Sequence, residues 1–201
     1  LTDFGVTSAV ELGTHPDSLI DELRAVKERL ALIDQLLDQE GTAMSTITVT
    51  RTTVPARTVV ALRGTVPSYS DEGRLWERLM PALQQQGIRP VGPCGVIEHD
   101  DEYREADVDL SVYCPVAPGT RAEGPLVVLQ LPERDCLVAH VIGPYTQISQ
   151  AHDLIVQRME AEGLAARQDG TLASNVFNRY LVTPDQAAPE DLVTEVCRPL
   201  A

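Results

Sequence analysis

The chain has 201 residues, 43% of them hydrophobic, enough for one domain or two small ones with a real core. Thirty acidic residues against 16 basic ones give a formal charge of −14, which excludes whole-surface binding to phosphate backbones, a cation-driven process. No run approaches the roughly 18–20 apolar residues of a membrane-spanning helix. Leu1-Thr2-Asp3-Phe4-Gly5 carries neither the basic region nor the apolar core of a secretory leader, so a cytoplasmic protein is expected. The missing initiator methionine reads as a fragment.

Residues 1–16 form a short lead-in, and Asp17 or Ser18 can cap a helix over 17–40. Its apolar positions are Leu19, Leu23, Val26, Leu30, Ile33 and Leu37, spaced four, three, four, three, four. That is a coiled-coil stripe, widened by Ile20, Leu32 and Leu36. A lone helix of this length is marginal in water. A homodimer through residues 19–37 is therefore expected, with folding back onto the chain's own body as the alternative. Gly41-Thr42-Ala43-Met44-Ser45 reads as a hinge.

From residue 46 onward the chain is built twice. Strands are predicted over 46–53 and 58–62, joined by the turn Val54-Pro55-Ala56-Arg57. A loop follows over 63–70, then a helix over 70–86 with Leu75, Leu79 and Leu83 on one face and Gly87 as its stop. Strands over 91–98 and 108–116 complete the first unit. The second unit has strands over 126–131 and 137–142, a helix over 149–162 stopped by Gly163, and strands over 177–182 and 193–198. Pro55, Arg57 and Pro67 map onto Pro132, Arg134 and Pro144 at one constant offset. This predicts an α+β body of two strand-helix-strand-strand lobes related by approximate two-fold symmetry, with a cavity at their seam.

Cys94, Cys114, Cys136 and Cys197 form no Cys-x-x-Cys pair; they read as reduced thiols, with disulfides possible in principle. The four histidines show no metal-ligand spacing, and no cofactor is expected. Between Glu98 and Asp109 lie seven acids without the central glycine of a calcium loop, which reads as a solvated hairpin. Nucleotide-binding glycine patterns and a nucleophile elbow are missing, so catalysis is not the first reading.

Glu195 alternates with apolar residues in Val193-Thr194-Glu195-Val196-Cys197 and reads either as a surface acid or as the carboxylate of a cavity floor. Tyr69 and Tyr145 occupy equivalent loop-to-helix corners, Trp76 follows the first, and Tyr113 and Tyr180 lie in strands. They read either as core and its margins or as the walls of an aromatic cleft for a planar or cationic ligand.

The stripe Leu19 to Leu37, followed by Val54-Pro55-Ala56-Arg57, Gly92-Pro93-Cys94-Gly95-Val96-Ile97, Gly143-Pro144-Tyr145 and Val193-Thr194-Glu195-Val196-Cys197-Arg198-Pro199-Leu200, resembles the C-terminal part of a MerR-type transcriptional regulator. Residues 1–16 resemble the end of its helix-turn-helix region, 17–40 its dimerisation helix and 46–201 its GyrI-like effector-binding domain. The resemblance implies a ligand-sensing module that takes lipophilic, aromatic or cationic small molecules in a central acidic pocket. Its carboxylate would be Glu195 and its aromatic residues Tyr145, Tyr113, Tyr180, Trp76 and Tyr69. DNA would be reached only through an upstream domain. Hydrolysis of reactive electrophiles and gyrase-inhibitor-like protein binding are the alternatives that the same family implies.

Overall fold

The computed structural model describes residues 46–100 and 102–201; the expected helix at 17–40, its dimer contact and the lead-in at 1–16 lie outside the described residues. Strand β1 (Thr46–Val54) turns at Pro55 into β2 (Arg57–Val66). A 3-10 turn at Tyr69–Asp71 leads into α1 (Gly73–Gln85), then β3 (Gly95–Glu98) and β4 (Val108–Pro115). The order returns as β5 (Val127–Leu131), β6 (Arg134–Ile142), a 3-10 turn at Tyr145–Gln147, α2 (Ile148–Glu162), β7 (Phe177–Val182) and β8 (Val193–Pro199). The fold is α+β, as the sequence pattern predicts.

The eight strands form one antiparallel sheet in the order β1-β6-β8-β7-β3-β4-β2-β5. Replacing each strand by its counterpart in the other repeat gives the same order read from the opposite edge. The pseudo-two-fold therefore passes between β3 and β7. The first strand of each repeat is exchanged: β1 pairs with β6, and β5 pairs with β2. The offset seen in the sequence has a structural meaning, since Arg57 and Arg134 open equivalent strands opposite Leu131 and Val54.

Alternation along each strand divides the side chains between two faces. Leu75, Leu79 and Leu83 of α1 pack on Val60, Leu62, Leu110 and Val112, while Ala151 and Ile155 of α2 pack on Leu137, Ala139 and Val196. Each buried leucine contributes about 1.5–3 kcal/mol, which is what holds the helices on this face. Gly64 of β2 lets α1 sit close, because a Cβ there would lie 2.8 Å from Leu75 Cδ2. On the other face, Val54 from one sheet edge and Leu131 from the opposite edge share one cluster with Ile97, Phe177 and Cys197. The sheet thus curls around that face, and this apolar cluster forms part of its lining.

Several boundaries differ from expectation. β3 starts at Gly95 rather than 91, because Pro93 has no N–H to give a ladder. β2 runs on to Val66 through a stretch read as loop, because Gly64 faces the helix while Arg63 and Thr65 are exposed. β6 starts at Arg134, inside the expected turn. The cysteines need a correction. Gly95 pairs with Tyr113, which brings Cys94 opposite Cys114, and these two form a disulfide with Cα atoms 4.2 Å apart. Cys136 and Cys197 remain buried free thiols. No helix among the described residues is long and apolar enough to cross a membrane.

Candidate functional site

On the helix-bearing face, where β3 and β7 meet, aromatic and acidic side chains converge from both repeats. The corner between β2 and α1 brings Glu72, and Trp76 follows one helical turn later. The Oε1 of Glu72 accepts hydrogen bonds from Tyr180 Oη at 2.7 Å and Trp76 Nε1 at 3.3 Å. Tyr180, on β7, is met edge-on by Trp76 at 6.2 Å between ring centroids and by Tyr145, from the equivalent corner of the second repeat, at 5.3 Å. Tyr180 is almost fully buried whereas Tyr145 is 37% exposed, so the cluster has a floor and an accessible rim.

Glu98, the last residue of β3, shares the face of Val96, which belongs to the helix-side core. Its carboxylate lies 3.9 Å from His152 Nε2 on α2 and is 18% exposed. No arginine or lysine among the described residues pairs with it at ion-pair distance. Burial pushes its carboxyl up to about 7, opposed by Arg198 and reinforced by Glu72 and Asp100. Burial likewise raises the Glu72 carboxyl, against its two donors. His152 is held below its ordinary value by burial and by Arg198, which favours the neutral ring. Burial raises the Tyr69 phenol, opposed by the hydrogen bond from the Arg104 amide and reinforced by Glu98 and Asp100; its ring stacks on Tyr103 at 5.4 Å.

Two buried polar atoms on this face have no hydrogen-bond partner, Asn178 Oδ1 on β7 and Thr194 Oγ1 on β8. Gly95 makes the seam close enough to form this floor: a Cβ there would stand 2.0 Å from the Asn178 carbonyl oxygen.

Of the residues singled out in the sequence, Tyr69, Trp76, Tyr145 and Tyr180 therefore lie on one side of the sheet. Glu195 and Tyr113 lie on the other. Glu195 alternates with Thr194 and Val196 and shares its face with Cys197, an inner-face residue. There it forms an ion pair with Arg179, its cross-strand neighbour, and stands 3.8 Å from His140 Nδ1 on the strand beyond. Tyr113 is buried with Phe177 and Ile97, and its hydroxyl donates to the Asn178 carbonyl at 3.4 Å. The acid that meets the aromatic cluster is Glu72, and Glu98 lies on the same face beside His152; neither acid was among the residues singled out in the sequence. Glu98 was hidden at the head of the acidic run. The alternation Val96-Ile97-Glu98 was the signal that could have separated it from the solvated acids behind it.

Residues 48–201 match the GyrI-like small molecule binding domain. The chain belongs to the GyrI-like family. Its fold is shared with EcmrR in an EcmrR–DNA complex, at a TM-score of 0.65 and 19% identity over 90% of this chain and 68% of that one. The C-terminal domain of EcmrR alone gives the same TM-score and identity over 77% of this chain and 98% of its own. A hydrolase from Listeria innocua matches at a TM-score of 0.53 and 15% identity, covering 77% of this chain and 92% of that one. No curated protein matches the sequence. The GyrI-like domain at residues 48–201 resembles the C-terminal part of EcmrR.

Proposed function

We propose that this GyrI-like domain is the ligand-sensing module of a transcriptional regulator and binds lipophilic aromatic cations over the β3–β7 seam on the helix-bearing face. The observation that carries the reading is Glu72, which accepts from Tyr180 and Trp76 with Tyr145 packed on Tyr180, on the same face as Glu98, a buried carboxylate whose basic neighbour is His152 and no arginine. Ring faces and a desolvated carboxylate together favour a cation that is large, flat and weakly hydrated. Tyr145 at the exposed rim would close over such a ligand. Glu195 is assigned to the inner-face ion pair and not to the ligand. In the full regulator, the stripe at 19–37 would pair two copies, and DNA would be contacted by an upstream domain. Ligand occupancy would then change how that domain is presented.

The test is titration of the protein with rhodamine 6G, read through Trp76 fluorescence. Saturable quenching that Glu98→Gln weakens about tenfold is expected, the size of one charge-assisted contact. Saturable binding left intact by both Glu72→Gln and Glu98→Gln would refute the assignment of the site.

A second reading, hydrolysis of a reactive electrophile, is favoured by one observation. A carboxyl pushed up to about 7 by burial, 3.9 Å from the His152 imidazole, suits proton transfer. Product formed over many turnovers would support it; a sensor needs none.

A further inference from the structure

The inside of the curled sheet holds a second feature unrelated to the aromatic cluster. Three arginines converge there: Arg57 from the start of β2, its repeat counterpart Arg134 from the start of β6, and Arg179 from β7. All three line one small cavity of about 10 Å³, together with Tyr113 and Phe177. Arg134 is only 3% exposed. Its guanidinium lies 3.8 Å over the Phe177 ring, and Nη1 donates to the Leu172 carbonyl at 3.3 Å. Its Nε has no partner, and neither has the buried Nε of Arg179. The carboxylate paired with this group is Glu195, engaged with Arg179. Three positive charges thus face one negative charge in a largely apolar enclosure.

Burying a guanidinium without a counter-charge is expensive, and guanidinium groups only donate hydrogen bonds. What completes such a site must accept from several sides and carry negative charge. A cavity of this size admits about one water-sized particle, which rules out phosphate esters and drug-sized anions. We infer that the inner-face cavity is a binding site for a small monovalent anion, a halide or the end of a carboxylate, held by Arg57, Arg134 and Arg179. Burial, and more weakly Arg179, pulls the Arg134 guanidinium below its ordinary value, in keeping with an uncompensated cation. The overall charge of −14 opposes anions at long range, so the affinity is expected to be modest and the selectivity to come from the enclosure.

The site is tested by chlorine NMR line width of the full chain at fixed ionic strength, using chloride as the probe. The wild type should broaden the chloride line in a saturable way. Arg57→Gln and Arg134→Gln should each weaken that binding about tenfold or more, the loss expected for one charge-assisted hydrogen-bonding group. Acetate that displaces the bound chloride assigns the site to carboxylates as well; acetate that does not displace it restricts the site to halides. Circular dichroism checks that the variants fold. Arg57 is only partly buried, so Arg57→Gln carries the test if Arg134→Gln does not fold. The inference is overturned if the wild type gives no saturable broadening, or if folded Arg57→Gln broadens the line as much as the wild type.

Discussion

If the helix-side face takes a cation as proposed, the titration of Glu98 should make its affinity depend on pH. In the unfolded chain this carboxyl loses its proton near 4.5, whereas in the folded domain it holds it to about 7. Between those values the folded state binds more protons, so stability falls as pH rises from about 4.5 to about 7 and is flat above. The full shift corresponds to roughly 2–3 kcal/mol, the lower figure allowing for the 18% exposure of the side chain. A bound cation favours the ionised carboxylate and reverses this cost, so ligand binding must release a proton below pH 7. For a group titrating at 7, affinity for rhodamine 6G should rise about tenfold, or about 1.4 kcal/mol, from pH 6 to pH 8. The groups facing Glu98 are His152, Arg198, Glu72 and Asp100. Burial and Arg198 both lower the His152 imidazole, which favours its neutral form. Fluorescence titrations at several pH values, with urea unfolding at the same values, measure both effects. Glu98→Gln should flatten the affinity profile and make the domain more stable than wild type at pH 8. A wild-type affinity that does not change between pH 6 and pH 8 would refute the reasoning.

Glu195→Gln should cost about 3 kcal/mol of stability, because it leaves Arg179 buried without its ion-pair partner. Its affinity for rhodamine 6G should stay within about twofold of wild type. A large loss of binding with unchanged stability would instead move the ligand's carboxylate to Glu195. Gly95→Ala pushes a methyl group against the Asn178 backbone at 2.0 Å and should destabilise by about 1–3 kcal/mol in thermal melts, with Tyr180 displaced from its donor contact to Glu72. Reducing the Cys94–Cys114 bridge, or replacing both cysteines by alanine, should lower stability by about 3 kcal/mol, the loop-closure entropy expected for a separation of 20 residues. A melting temperature indifferent to dithiothreitol would contradict that bridge.

Much of the architecture was legible because it rests on local signals. The leucine spacing in α1, the glycine stops after both helices and the repeated Pro-x-Arg turn each have a short-range cause. The exchange of β1 and β5 between the repeats was not legible, since hairpin-like spacing suggests that β1 pairs with β2, its neighbour in sequence. The disulfide depended on the β3–β4 register, which sequence spacing does not fix. In the site, aromatic residues at loop-to-helix corners were readable from their repeated position. The acids were not, because a charged residue is ordinarily solvated and only three-dimensional packing shows which one is enclosed. Glu195 and Glu98 both belong to an apolar alternation, yet they emerge on opposite faces of the same sheet. One meets an arginine; the other meets a histidine.

The exchanged edge strands bear on how this domain can be divided. Because β1 completes the second repeat and β5 the first, neither repeat is a self-sufficient sheet. A nick in the connection between β4 and β5 would yield two halves that each expose a bare backbone edge and each own the strand that covers the other. Such halves should rejoin as interlocking pieces when mixed. The same interlock ties Thr46, where β1 begins, to Ile142 at the end of β6, in the second repeat and not in the one to which β1 belongs in sequence.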